Sequence, residues 1–192
     1  MELAWNDPRT RQFVTNVGLI TSDGPLGPNI MAAEWTHHIS YAPSLIALCI
    51  AASDATTANI EASREFGVSL AAESQRIFCS VAGGHGGRKV DKIAALRELG
   101  ASFYPARCIN APMVAGAAMN AECKLHQKIE LGDHFTLIGE VVDITADPNV
   151  RPLIYHNGQY WLVRESLSKP PQPELDRIKS VVASHRRVVV DN

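Results

Sequence analysis

Short runs of β-branched and apolar residues recur along the chain, each stopped by glycine, proline, asparagine or aspartate. That rhythm limits the fold more than any other feature, because such runs form strands and such stops form turns. Phe13 to Thr21 reads as a first strand, Ser22-Asp23-Gly24-Pro25 and Gly27-Pro28-Asn29 turn it, and Ile30 to Thr36 pairs back as a hairpin. Leu45 to Ile50 is a continuous apolar run of strand length, and Phe66 to Leu70 is another strand. Ala121 to Ile129 and His134 to Ile144 alternate in polarity around a turn at Gly132-Asp133. Leu153-Ile154-Tyr155 and Gln159 to Val163 flank His156-Asn157-Gly158 as a last hairpin. Helical signals are few. Asp54 to Ser63 has good helix formers behind a start that Asp54 or Thr56 can cap. Lys89 to Leu99 carries Val90, Ile93, Ala94 and Leu96 at helical spacing, with Gly100 as its stop. Leu175 to Ser184 is a third, and Glu73 to Val81 fits either class. Strands and helices do not alternate regularly, which argues against a doubly wound parallel sheet. The expected class is mainly β: an antiparallel, closed or nearly closed barrel with a few short helices, since closure removes exposed sheet edges.

A chain of 192 residues suits one domain, and 46% hydrophobic against 20% charged residues allows a sizeable core. Ser168-Lys169-Pro170-Pro171-Gln172-Pro173 is a break, so we expect a domain over residues 1–167 and a tail over 168–192, possible as an arm to a second subunit. The net charge is −2 and basic residues cluster only at His185-Arg186-Arg187, which gives no footprint for nucleic acid. The start, MELAWNDPRTRQF, lacks the pattern of a signal peptide, and no apolar run has the length of a membrane span. A cytoplasmic protein with no membrane partner is expected. The four cysteines, Cys49, Cys79, Cys108 and Cys123, form no CxxC pair and are expected as reduced thiols, Cys49 and Cys79 as small buried hydrophobes.

Several chemistries fail on spacing. Gly83-Gly84-His85-Gly86-Gly87-Arg88-Lys89 is a flexible or sharply turned loop, either a mobile surface loop or a lid. It is no P-loop, because Arg88 precedes the lysine and Val90 follows it. No GxGxxG opens a helix after a strand, and no GxSxG elbow is present. His37 and His38 are neighbours on a strand and face opposite sides; His85, His126, His134 and His156 are scattered, so no metal is expected. His134 starts a strand after a turn, which puts it at a barrel rim, as a half-exposed strand residue or as part of a site. Glu34 is expected inside a strand, paired with a lysine or arginine across the sheet. Asn29 to Leu70 is the most informative stretch: loop, strand, strand, polar turn and helix set a backbone-rich edge beside a helix N-terminus. A flat cofactor with a phosphate tail would fit there, with Ser53 to Asn59 at the phosphate, the plain alternative being ordinary N-capping.

Six segments, in order, carry a family resemblance. They are Asn29-Ile30-Met31-Ala32-Ala33-Glu34-Trp35, Ser40 to Ile46, Thr56 to Phe66, Gly86 to Ile93, Gly132-Asp133-His134 through Gly139-Glu140-Val141, and Pro152-Leu153 through Gly158-Gln159-Tyr160. Together the chain from about Asn16 to Tyr160 resembles the flavin reductase-like proteins with an FMN-binding split barrel. The resemblance implies a Greek-key antiparallel split β-barrel, a homodimer, and FMN near the dimer interface. It implies that Asn29 and the run Met31, Ala32, Ala33, Glu34 and Trp35 meet the flavin ring edge. Ser53, Thr56 and Asn59 would hold the ribityl phosphate. Arg88, Lys89 and Lys92 would approach the phosphate or a pyridine nucleotide, and His134 would sit near the flavin or the reductant. One departure stands out: many relatives have an arginine just before the threonine, where this chain has Asp54-Ala55. An aspartate beside a phosphate weakens binding unless a cation offsets it, so FMN could act as a diffusing substrate.

The resemblance implies an FMN-binding oxidoreductase that takes electrons from NADH or NADPH and passes them to free flavin, ferric chelate, oxygen or a partner oxygenase. A flavin carrier without direct use of NAD(P)H is the second reading. A structural barrel that has lost cofactor binding is the third. No side chain is assigned as a catalytic acid or base.

Overall fold

The computed structural model describes residues 1–4 and 7–186. Arg187 of the basic triplet and the end of the tail lie outside the described residues. Among the described residues twelve strands form three antiparallel sheets. They are β1 (Val14–Asn16), β2 (Gly18–Ser22), β3 (Asn29–Ala33), β4 (Thr36–Tyr41), β5 (Ser44–Ala51), β6 (Glu65–Leu70), β7 (Phe103–Pro105), β8 (Pro112–Val114), β9 (Met119–Leu131), β10 (His134–Ala146), β11 (Leu153–His156) and β12 (Gln159–Leu162). The main sheet has the order β3-β2-β6-β9-β10-β5-β4; β1-β11-β12 and β7-β8 are small sheets. The β11–β12 turn has Asn157 at φ 51° and Gly158 at φ 74°, the pair of left-handed residues a two-residue hairpin needs.

The main sheet curls, and chain geometry requires it. β3 and β4 are its two edges, yet only Glu34 and Trp35 separate them. Three Cα–Cα steps span at most ~11 Å, so the two edges must come together. Across this seam Asn16 Nδ2 donates to Thr36 O at 2.8 Å. The result is the antiparallel split barrel expected from the sequence.

Both faces of β2 and β3 are covered, and all five residues of β2 are buried. Ile20 points into the barrel core with Leu48, Phe66, Val68 and Leu137. Leu19 and Ile30 point the other way, onto Cys79, Ala82, Ile93 and Leu96. Those residues belong to α2 (Arg76–Gly84) and α3 (Lys92–Glu98), which follow α1 (Ala55–Ser63) in the chain. Gly139 on β10 leaves space for the buried Phe66 ring, since a Cβ there would lie 2.5 Å from Cζ.

Several boundaries differ from expectation. Phe13 to Thr21 divides into β1 and β2, because the chain leaves the small sheet for the large one at Val17. The Ile30 to Thr36 strand ends at Ala33, and Glu34 occupies the corner between two strands. The ambiguous Glu73 to Val81 is a 3-10 turn running into α2, and this helix also takes up Gly83 and Gly84 of the glycine run. α3 starts at Lys92 because Asp91 caps it, its carboxylate accepting from Ala94 N at 2.9 Å. A last helix, α4 (Gln172–Ser184), begins before Leu175, with Pro173 in its first turn where a missing N–H costs nothing.

Candidate functional site

A cavity of about 540 Å³ opens between the barrel seam and the layer of α2 and the β11–β12 hairpin. Its barrel wall is the end of β3 and the corner, Met31 to Trp35, with Cys49 to Ala51 of β5 and the Asp133-His134 turn. Opposite stand Cys79, Ser80, Gly83 and Gly84 of α2 with Tyr155 and Tyr160. Asp54, at the β5–α1 junction, belongs to the lining too. The size is that of a small-molecule site.

Aromatic pairs mark two places on this lining. Trp35 and His134 have ring centroids 4.8 Å apart; Tyr155 and Tyr160 are 5.6 Å apart. The lining also carries the small apolar side chains of Ala32, Ala33 and Ala51, which suits a planar conjugated ring. His134 is oriented by a 2.7 Å hydrogen bond between Nδ1 and Asp133 Oδ1. That bond, with the attraction of the imidazole, holds the Asp133 carboxyl below its usual range. Partial burial raises the pKa of Glu34, which favours its neutral form. Among the described residues no lysine or arginine lines the cavity, whereas Glu34, Asp54 and Asp133 all do. Glu34 was expected to pair across the sheet. Among the described residues it makes no ion pair, because a corner residue has no cross-strand neighbour.

The structure brings Met31, Ala32, Ala33, Glu34, Trp35 and His134 together on one lining. It places the other expected residues elsewhere. Asn29 is buried and donates to Thr56 Oγ1 at 2.8 Å. Asn59, 0% exposed, accepts from Leu26 N at 3.0 Å and donates to Gly27 O at 2.8 Å and to Ser22 Oγ at 3.3 Å. These amides hold the β2–β3 turn against α1. Thr56 is buried as well, and Thr57 Oγ1 donates back to Ala51 O at 2.7 Å. Neither caps the first turn, and Asp54 takes the cap position without a side-chain cap bond. Ser53 is exposed, and its carbonyl accepts from Arg88 Nε at 3.1 Å. Lys89 is exposed. Lys92 is 3% exposed and donates from Nζ to Ala82 O at 3.0 Å. Burial pushes its ammonium down to about 8, against the opposing pull of the Asp54 charge. The glycine loop is pinned by Arg88 and by Gly87, where a Cβ would lie 2.8 Å from Asn29 Cγ.

Cys49, Cys79, Ser80, Tyr155 and Tyr160 were not expected at a site, whereas Gly83 and Gly84 begin the run read as either a surface loop or a lid. The two tyrosines lie inside the last of the six family segments, which was their only signal. Cys49 is half-buried, with Sγ 3.1 Å from Thr136 Oγ1; Cys79 is buried and its thiol pKa rises to about 12.

The chain is similar to proteins of known role. It is 28% identical to the reductase subunit HsaB of a flavin-dependent monooxygenase from Rhodococcus jostii (strain RHA1), over 83% of this chain and 77% of that one. It is 27% identical to the NADH-dependent FAD reductase of Streptomyces globisporus, over 77% of this chain and 79% of that one. The solved flavoredoxin of Desulfovibrio vulgaris (Miyazaki F) superimposes with a TM-score of 0.75 at 27% identity, covering 91% of this chain and 100% of that chain. The family model for the flavin reductase like domain matches residues 10–162. With that match spanning the barrel and both walls of the cavity, the chain belongs to the flavin reductase-like family.

Proposed function

We propose that this protein is a NADH-dependent flavin reductase that reduces FMN in the cavity beside Trp35 and His134. The observation that carries this reading is the juxtaposition of the Met31 to Trp35 corner, His134 and the Tyr155–Tyr160 pair around one space of ring-binding size. The relatives named for NADH-dependent FAD reduction and for a monooxygenase reductase support it. The chemistry a bound flavin supplies is acceptance of a hydride from the nicotinamide. The protein's own part is positioning and exclusion of water. Met31, Ala32, Ala33 and Ile50 give an apolar wall, and Gly83 and Gly84 keep the opposite wall shallow. Glu34, whose pKa partial burial raises, offers a carboxyl to the polar edge of a flavin ring. His134, held by Asp133, presents its ring beside Trp35 for the nicotinamide.

In this reading the protein is a cytoplasmic homodimer, and its reduced flavin goes to a partner oxygenase, as the name of the monooxygenase reductase relative suggests. A flavin carrier is the second reading, favoured by the likeness to flavoredoxin. Steady-state oxidation of NADH and of NADPH, with and without added FMN, separates the two. The reductase reading expects flavin-dependent turnover with NADH. No turnover, with flavin still binding, would leave the carrier.

A further inference from the structure

We propose that a second groove, at the start of α2 between Arg76 and Arg151, binds the adenosine diphosphate part of a dinucleotide whose conjugated ring lies in the cavity. This rests on the flavin reductase reading of that cavity and adds a subsite to it.

The groove has a volume of about 510 Å³. Glu73, Ser74 and Arg76 line it from the start of α2, Asn149 and Arg151 from the segment entering β11, and Leu162 from β12. Backbone bonds tie these walls: Glu73 N donates to Arg151 O at 3.0 Å, and Ala72 forms a bridge with Pro152. The same elements build the cavity, so the two spaces are neighbours along them. Ser80 of the cavity and Arg76 of the groove share one face of α2, one turn or about 6 Å apart. Tyr160 of the cavity and Leu162 of the groove share one face of β12, about 7 Å apart. Tyr155 and Arg151 are four residues apart on the strand that pairs with β12, about 13 Å along an extended chain. The β11 and β12 steps run the same way, because Tyr155 faces Tyr160 and Leu153 faces Leu162. One sugar or sugar-alcohol chain separates the ring of a nicotinamide or flavin dinucleotide from its diphosphate, which matches a spacing of this order.

The two linings differ in chemistry. The cavity carries three carboxylates and, among the described residues, no lysine or arginine. The groove carries two arginines and one carboxylate. Among the described residues neither guanidinium makes an ion pair, so both forks are open to a ligand. A guanidinium binds two phosphate oxygens at once, and a pair of them suits a diphosphate. Asp147, just outside the lining, keeps its charge, so recognition comes from these forks more than from net charge; it also holds Asn149 by bonds of 2.9 Å from N and 3.1 Å from Nδ2. Glu73 supplies the remaining signal. It is half-buried, and its Oε1 has no hydrogen-bond partner among the described residues. That acceptor suits the hydroxyl and amino donors of an adenosine, whereas a bare phosphate has no use for it. Arginines for phosphate beside a carboxylate for the nucleoside point to a nucleotide.

The test compares the full-length protein with a double variant, Arg76→Gln with Arg151→Gln, and thermal unfolding checks that the variant folds. Quenching of flavin fluorescence gives the Kd of FAD and of FMN. Steady-state turnover gives the KM of NADH and of reduced nicotinamide mononucleotide. The variant should weaken FAD, NADH or both by about tenfold more than the matching mononucleotide. A loss confined to FAD assigns the groove to the flavin's adenylate, and a loss confined to NADH assigns it to the reductant's; either upholds the proposal. Equal effects on dinucleotide and mononucleotide in both pairs, no effect included, would overturn it. If the variant does not fold, ADP titrated against wild type decides. ADP should displace FAD or NADH, less strongly at high salt, and failure to displace either would overturn the proposal. Binding of neither FMN nor FAD by wild type would instead overturn the flavin reading, and this inference with it.

Discussion

Lys92 is a charged group where water barely reaches, 3% exposed and bonded to a backbone carbonyl at the end of α2. Its folded pKa of about 8 lies below the ordinary 10.5. Between those values the unfolded chain binds the proton more readily than the folded one. The linkage sign is therefore positive: stability rises with pH through this window, and the penalty is complete below about 8. Lys92→Met has no proton to lose. Its stability relative to wild type, from urea midpoints, should fall steadily as pH rises from about 8 toward 10.5. A constant difference would show that burial does not shift this group. In the sequence Lys92 was legible as a member of a family segment, but not as a buried strut, because one-dimensional spacing does not reveal which carbonyl a long side chain reaches. The cavity face of Met31 to Trp35 and His134 was legible, since a short contiguous run and one turn residue define it.

Among elements, α1 shows how polar residues suited to a ligand can serve the fold. Thr56 and Asn59 sit on the helix in a pattern that fits a phosphate cradle, and their side chains instead tie the helix to β3 and to the β2–β3 turn. Asn59→Ala removes the partners of the part-buried Leu26 N and Gly27 O and empties a fully buried side-chain site. We expect a loss of about 2 kcal/mol in unfolding free energy, measured by denaturant titration. A loss of flavin affinity with unchanged stability would contradict this and assign Asn59 to the ligand. The strands were readable from β-branched runs and turn residues. The corner at Glu34-Trp35 was not, because closure of the barrel, and no local propensity, breaks that strand. Nor was the far wall of the cavity readable, since Ser80, Gly84, Tyr155 and Tyr160 come from segments separated by most of a hundred residues of chain.

At the scale of the whole molecule, the barrel and its covering layer account for the described core, and α4 contributes nothing to it. No residue of Gln172–Ser184 is buried. Removal of residues 168–192 should leave the unfolding temperature and flavin affinity of the domain unchanged within error. A drop in unfolding temperature would mean that the tail packs against a second subunit. The central claim is that flavin lies in the cavity bounded by the Met31 to Trp35 corner. The most direct measurement is a visible-absorption titration of added riboflavin and FMN against wild type and Trp35→Ala. Trp35 is 48% exposed, so its loss should cost the fold little while removing one side of the ring site. The account predicts a saturable spectral shift in wild type and at least tenfold weaker binding in Trp35→Ala with the fold intact. Equal binding by the two proteins would contradict it.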